Sequence, residues 1–197
     1  MKRLLTLTAA LFTLPGFSTA EDKKPAAETK PAAEAKSAGL AVGGLTFKAA
    51  APWQVKKEPR KMSAGGLTMP GKEKAAGIEA DFYHFGVGGG GGVEANVQRW
   101  QKQFEPDDDG KLPEPKHEEV IIGGRKVLFV TFKGTFLSGS VMDAKRTPRP
   151  GYTMTGVIIP SEETGDIFIK ISGPDAAMAA SQEAIKKLVG TALPAAK

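Results

Sequence analysis

From Leu40 to Val189 the chain alternates stretches of period-two and helical hydrophobic patterning. Leu45 and Phe47 alternate with polar neighbours, as at the start of a strand. Ala51-Pro52-Trp53 turns the chain, and Met62 to Met69 reads as a second strand, closed by Pro70-Gly71. Ile78 to Phe85 is a third, with Ile78, Ala80 and Phe82 on one face and Glu79, Asp81 and Tyr83 on the other. After a glycine run, Val93, Val97, Trp100 and Phe104 recur at helical spacing, and Pro106 ends the pattern. Glu118–Ile122 and Arg125–Phe136 flank Gly123-Gly124, a two-residue hairpin turn. A loop from Leu137 to Gly151 leads to strands Tyr152–Ile159 and Ile167–Ser172. Pro174 and Asp175 open a last helix with Ala177, Ala184, Ile185, Leu188 and Val189 inward. The order of three strands, helix, four strands, helix predicts an α+β domain, an antiparallel sheet covered by helices.

The flanks read differently. Met1-Lys2-Arg3, the apolar run Leu4 to Leu14, the breaker Pro15-Gly16 and the small residues Ser18-Thr19-Ala20 have the order of a secretory signal peptide over residues 1–20. The run is well short of the about 20 apolar residues of a bilayer span. The expected address is therefore periplasmic or extracellular, with no membrane span in the mature form. Residues 21–39, rich in Ala, Pro, Lys and Glu, contain KPAAE twice and too little apolar surface to offset ordering entropy, so they read as a disordered linker. The domain then covers 40–193, with a tail at 194–197.

Composition narrows the function classes. There is no cysteine, so disulfides and a cysteine-linked lipid anchor are excluded, and the core alone holds the fold. At about 150 residues a domain buries close to 70% of its unfolded surface, enough without a staple. The formal charge is +5, and cleavage of the leader removes Lys2 and Arg3. A basic stretch (Lys56, Lys57, Arg60, Lys61, Lys72, Lys74) and an acidic one (Glu105, Asp107, Asp108, Asp109, Glu114, Glu118, Glu119) make the chain polar in charge. Without a uniformly basic surface or aromatic platform, nucleic acid is not an expected partner.

The residues that invite chemical readings carry weak motifs. Gly86-x-Gly88-x-x-Gly91 matches a dinucleotide fingerprint, but its preceding strand alternates and Asp107 to Asp109 sit in a loop, so a loop is the simpler reading. Glu105-x-Asp107-x-Asp109-Gly110 resembles the front of a calcium loop, with Lys116 where the closing glutamate belongs. His84 and His117 are too few for a zinc site and lack helical His-x-x-x-His spacing. No Gly-x-Ser-x-Gly or Ser-x-x-Lys occurs, and Ser138 and Ser140 have no assigned base. Lys145, Arg146 and Arg149 form a small basic patch able to meet an anion. No catalytic, metal or cofactor-binding residue is assigned. The expected role is a non-enzymatic binding or accessory module of the cell envelope, its partner an envelope protein or a small ligand. The alternative is a secreted hydrolase whose residues meet only in the fold.

Leu45-x-Phe47 before Ala51-Pro52-Trp53, Leu67-Thr68-Met69-Pro70-Gly71, Val93-Glu94-Ala95-Asn96 with Arg99-Trp100, Arg149-Pro150-Gly151-Tyr152, and Phe168-Ile169-Lys170 before Gly173-Pro174 resemble a family of uncharacterised exported bacterial proteins. The resemblance spans about residues 45–190. It implies a PsbP-like α/β sandwich and, through that fold, a binding or accessory role. It implies no catalytic residue.

Overall fold

A computed structural model describes residues 38–71, 75–139 and 145–193. The predicted leader, nearly all of the predicted linker, Lys72 and Lys74 of the basic stretch, Ser140 and the predicted tail at 194–197 lie outside the described residues. Nine strands and three helices are present among them. The strands are β1 (Ala38–Val42), β2 (Leu45–Ala49), β3 (Gln54–Val55), β4 (Gly65–Met69), β5 (Ile78–His84), β6 (Lys116–Ile122), β7 (Arg125–Ser138), β8 (Thr147–Ile159) and β9 (Ile167–Pro174). The helices are α1 (Gly92–Gln101), between β5 and β6, and α2 (Asp175–Ala180) and α3 (Gln182–Ala192) at the end.

Seven strands form one antiparallel sheet in the order β3-β4-β5-β9-β8-β7-β6, and β1 and β2 form a separate hairpin. The expectation of an α+β domain whose sheet is covered by helices is corrected here. Strand takes 45% of the described residues and helix 18%. Two causes account for the difference. The β1–β2 hairpin, turned through Gly43 and Gly44, does part of the covering that the sequence reading gave to helices. At the described ends of Leu137–Gly151, a segment read as a Pro- and Arg-containing loop, Leu137–Ser138 continue β7 and Thr147–Gly151 begin β8. Pairing of β8 with β9 ends at Tyr152, so residues 147–151 have an open outer side, where a proline without an N–H is tolerated.

Each sheet face has its own core. On one face Leu67, Phe82, Val127, Val157, Ile159, Ile169 and Ile171 meet Val42, Phe47 and Trp53 from the entering chain and Met178, Ile185, Leu188 and Val189 from α2 and α3. Burying each such side chain stabilises by about 1.5–3 kcal/mol. On the other face Trp100 and Phe104 pack on Val130, Phe132, Met154, Ile158 and Phe168. The buried face of α1 is rotated from the expected stripe. Asn96 is buried, whereas Val93 is 43% exposed. Asn96 Nδ2 donates to the carbonyls of Gly90 and Gly92, and Arg99 donates to its Oδ1. Those bonds tie the glycine run to the helix, and Gly91 caps it in the left-handed conformation.

Only the half of this second face below α1 is covered. β7 and β8 lose register between Gly134 and Phe136, a bulge that re-aims the strands. The turn after α1 docks on the outer edge of that bulge, where Glu105 N donates to Thr135 O and Leu137 N donates to Gln103 O. An arm of β7 and β8 therefore stands beside β9 and β5, with a groove between.

Candidate functional site

The groove has a volume of about 270 Å³. Thr68 and Glu79 of β4 and β5 line one wall together with Arg60, and Phe136, Ser138, Arg149 and Tyr152 of the arm line the other. Ser172 of β9 belongs to the same lining. These strand residues fall on one face because side chains alternate along a strand and the extra residue of β8 at the bulge brings Arg149 round to the face of Tyr152.

Behind the groove lies a network of charges. Asp81 is 1% exposed, and both of its oxygens are engaged. Oδ1 accepts from Lys56 Nζ at 2.8 Å, and Oδ2 lies 2.8 Å from Arg60 Nε. The Arg60 N–H is poorly aligned with that oxygen, so this contact is ionic rather than a hydrogen bond. Lys56 and the other end of Arg60 also hold Glu79 Oε2, at 3.0 and 3.2 Å. Burial works against charge on both Arg60 and Glu79. The neighbouring carboxylates nevertheless hold Arg60 above its ordinary value, and Lys56 and Arg60 hold Glu79 below its own.

Lys170 pairs with Asp81 across β5 and β9 but makes no ion pair with it. Its ammonium, 8% exposed as a residue, donates to the neutral amide of Gln103 at 3.1 Å and stands 5.9 Å from the centre of the Phe136 ring. Burial first, then the positive charge of Arg60, lowers its pKa to about 8. No carboxylate among the described residues lies within 4.0 Å of Lys170 or Arg149. In and behind the groove, four cations (Lys56, Arg60, Arg149, Lys170) face two carboxylates (Glu79, Asp81).

A second concavity, about 390 Å³, is larger. Ala38, Ala49, Ala51, Pro52, Trp53, Gln54 and Pro70 line it, and the buried Trp53 indole N–H has no partner. It contains no charged group, so the smaller groove holds the chemistry.

The structure separates most residues that the sequence singled out. Arg149 of the basic patch enters the groove, but Arg146 donates to Lys102 O and Lys145 is exposed. Ser138 lines the groove and donates its hydroxyl hydrogen to Thr147 O. His84 Nε2 lies 2.7 Å from Thr164 O at the end of β5, and His117 is exposed on β6, the far edge of the sheet. Asp107 Oδ1 accepts from the backbone N–H of Asp109 and Lys111, so the acidic segment closes on itself as a turn. No group of three metal-ligating side chains occurs among the described residues. No described helix is long and apolar enough to cross a membrane. The sequence reading missed Lys170 and Asp81. Their signal is a lone charge within a strand: Lys170 interrupts the apolar run Ile167 to Ile171.

The chain matches no family model and no curated protein.

Proposed function

We propose that this chain is an exported, non-enzymatic binding module whose ligand is a small oxyanion lodged in the groove beside the β7–β8 arm. The surplus of positive charge converging on that groove carries the reading. Hydroxyls of Tyr152 and Ser172 line it beside Arg60 and Arg149, so donors for a carboxylate or phosphate sit next to a guanidinium able to bind either one bidentately. The volume lies just below the roughly 300–1,000 Å³ of drug-sized sites, which favours a small organic acid or a phosphate.

Titration of the isotope-labelled chain with succinate, inorganic phosphate, glucose and free lysine tests this. Amide shifts should saturate at Arg149, Tyr152 and Ser172 with the two anions and stay absent with glucose and lysine. Shifts centred on the Trp53 concavity, or none with either anion, overturn the reading. Export is tested separately. The leader predicts cleavage after Ala20, so intact-mass measurement of protein recovered outside the cytoplasm should find Glu21 first.

A further inference from the structure

We infer that Lys170 is the inner charge partner of the groove's anion: its ammonium, buried against Phe136 and held by Gln103 with no carboxylate beside it, completes the oxyanion site. The inference rests on the reading of the groove as an anion site.

Three observations converge on Lys170. First, a buried ammonium is ordinarily neutralised, because an unpaired charge in a low dielectric is costly. Asp81 occupies the position opposite Lys170, yet its oxygens are taken by Lys56 and Arg60. The cross-strand neighbour on the other side is Gly156, which offers no side chain at all. The ammonium is thus left with a neutral amide and a ring face.

Second, Lys170 stands just behind the groove's lining, beside two of its residues. Ser172, two residues further along the same face of β9, lines the groove, and so does Phe136, the ring beside the Lys170 ammonium. α1 ends at Gln101, and the turn after it places Gln103 on the Lys170 ammonium. Lys170 therefore lies where the covered half of the face meets the open half.

Third, the elements around Lys170 hold it in place. Gln103 is 7% exposed, fixed by its own backbone bond from Leu137 N, and its Nε2 donates to Arg99 O. Its Oε1 is thereby turned toward the ammonium. Of the ammonium's three hydrogens, the structure assigns one to Gln103, which leaves donors for a ligand oxygen.

The charged groups that bear on Lys170 are Asp81 and Glu79 of β5, and Lys56 and Arg60 of the segment between β3 and β4. The first two favour its charge and the last two oppose it. As pH rises through about 8 the ammonium loses its proton, so anion affinity should fall across that range.

Succinate is the suitable probe, since both its carboxylates stay ionised from pH 6.5 upward. Calorimetry and NMR shifts on the full chain should give a Kd that rises by about ten- to thirtyfold between pH 7 and 9.5, the upper end being the most that one proton lost near pH 8 allows over that range. Lys170→Met should bind about ten- to a hundredfold more weakly at pH 7, with no pH dependence across 8. Lys170→Arg should keep its affinity at pH 9.5, because a guanidinium stays charged. Should either variant fail to fold, Lys170→Gln replaces it, with the outcome expected of the methionine variant. If the methionine or glutamine variant binds succinate as tightly as the parent, with shifts still at Arg149 and Ser172, Lys170 is not a ligand partner and the groove reading stands. If succinate and phosphate produce no saturable shift in the parent, both fail.

Discussion

Lys170 makes the fold less stable than an apolar residue would. Its pKa in the folded chain lies near 8, below the ordinary lysine value of 10.5. Below pH 8 both folded and unfolded chains carry the proton, and the folded state bears the full desolvation cost. Between 8 and 10.5 the unfolded chain binds more protons, so stability rises with pH, by about 3 kcal/mol at most from this residue. Lys170→Met should therefore raise the urea midpoint at pH 7 and flatten the rise above pH 8, which chemical denaturation at pH 7, 8.5 and 10 measures. A gain in stability with a loss of binding is the expected mark of a residue kept for its ligand. Asp81 should behave in the opposite way. It is the common partner of Lys56 and Arg60, so Asp81→Asn leaves two cations with half their compensation and should cost about 3–5 kcal/mol, read from the same denaturation curves. Both residues are visible in the sequence only as charges inside strands. Which of them is paired and which is not depends on the side chains of Lys56 and Arg60 folding back over β5, and no spacing along the chain encodes that.

At the scale of the elements, α1 depends on two close approaches. A Cβ at Gly156 would come within 2.0 Å of the Trp100 ring, and one at Gly90 within 2.2 Å of the Phe168 ring. Trp100→Ala should cost about 3–5 kcal/mol by opening a cavity over β8. Gly156→Ala should cost at least about 1–3 kcal/mol by the opposite route, overpacking, and the double variant should lose less than the sum of the two. Thermal unfolding of the three proteins gives that cycle. The helix was legible as an element because Val93, Val97 and Trp100 recur at helical intervals, although Phe104, read into the same stripe, lies past its end and bridges to Phe136. Its rotation was not, since the sequence reading gave the inner face to Val93 and left out Asn96, a polar residue buried by its bonds to the glycine carbonyls. The glycine run likewise reads as a spacer, whereas Gly90 gives Phe168 its room. The β1–β2 hairpin carries the same Gly-Gly signal as the turn at Gly123 and Gly124 and could have been read. The bulge that makes the groove also left a signal, Gly134 and Gly151, which take positive φ at the register shift, but beside Pro148 and Pro150 the second of these reads as part of a loop.

For the molecule as a whole, the order of the sheet joins distant parts of the sequence. β5 lies against β9, pairing Glu79 with Ser172, so the central contact of the sheet spans all of α1 and β6 to β8 in sequence. Folding should accordingly fall in the slow range of non-local β proteins, milliseconds to seconds, which stopped-flow tryptophan fluorescence can measure. The hairpin at the start of the described residues also meets the last helix. Lys48 N of β2 donates to Thr191 Oγ1, and α3 packs its apolar side on β2 over the core that the β1–β2 hairpin shares. That clasp has a mechanical consequence. In a tweezers experiment with handles near Ala38 and Leu193, tension would reach the hairpin and α3 before it reached the seven-stranded sheet. The two end elements should peel away together at low force as one unit, leaving the groove and its charges to yield in a later, separate step.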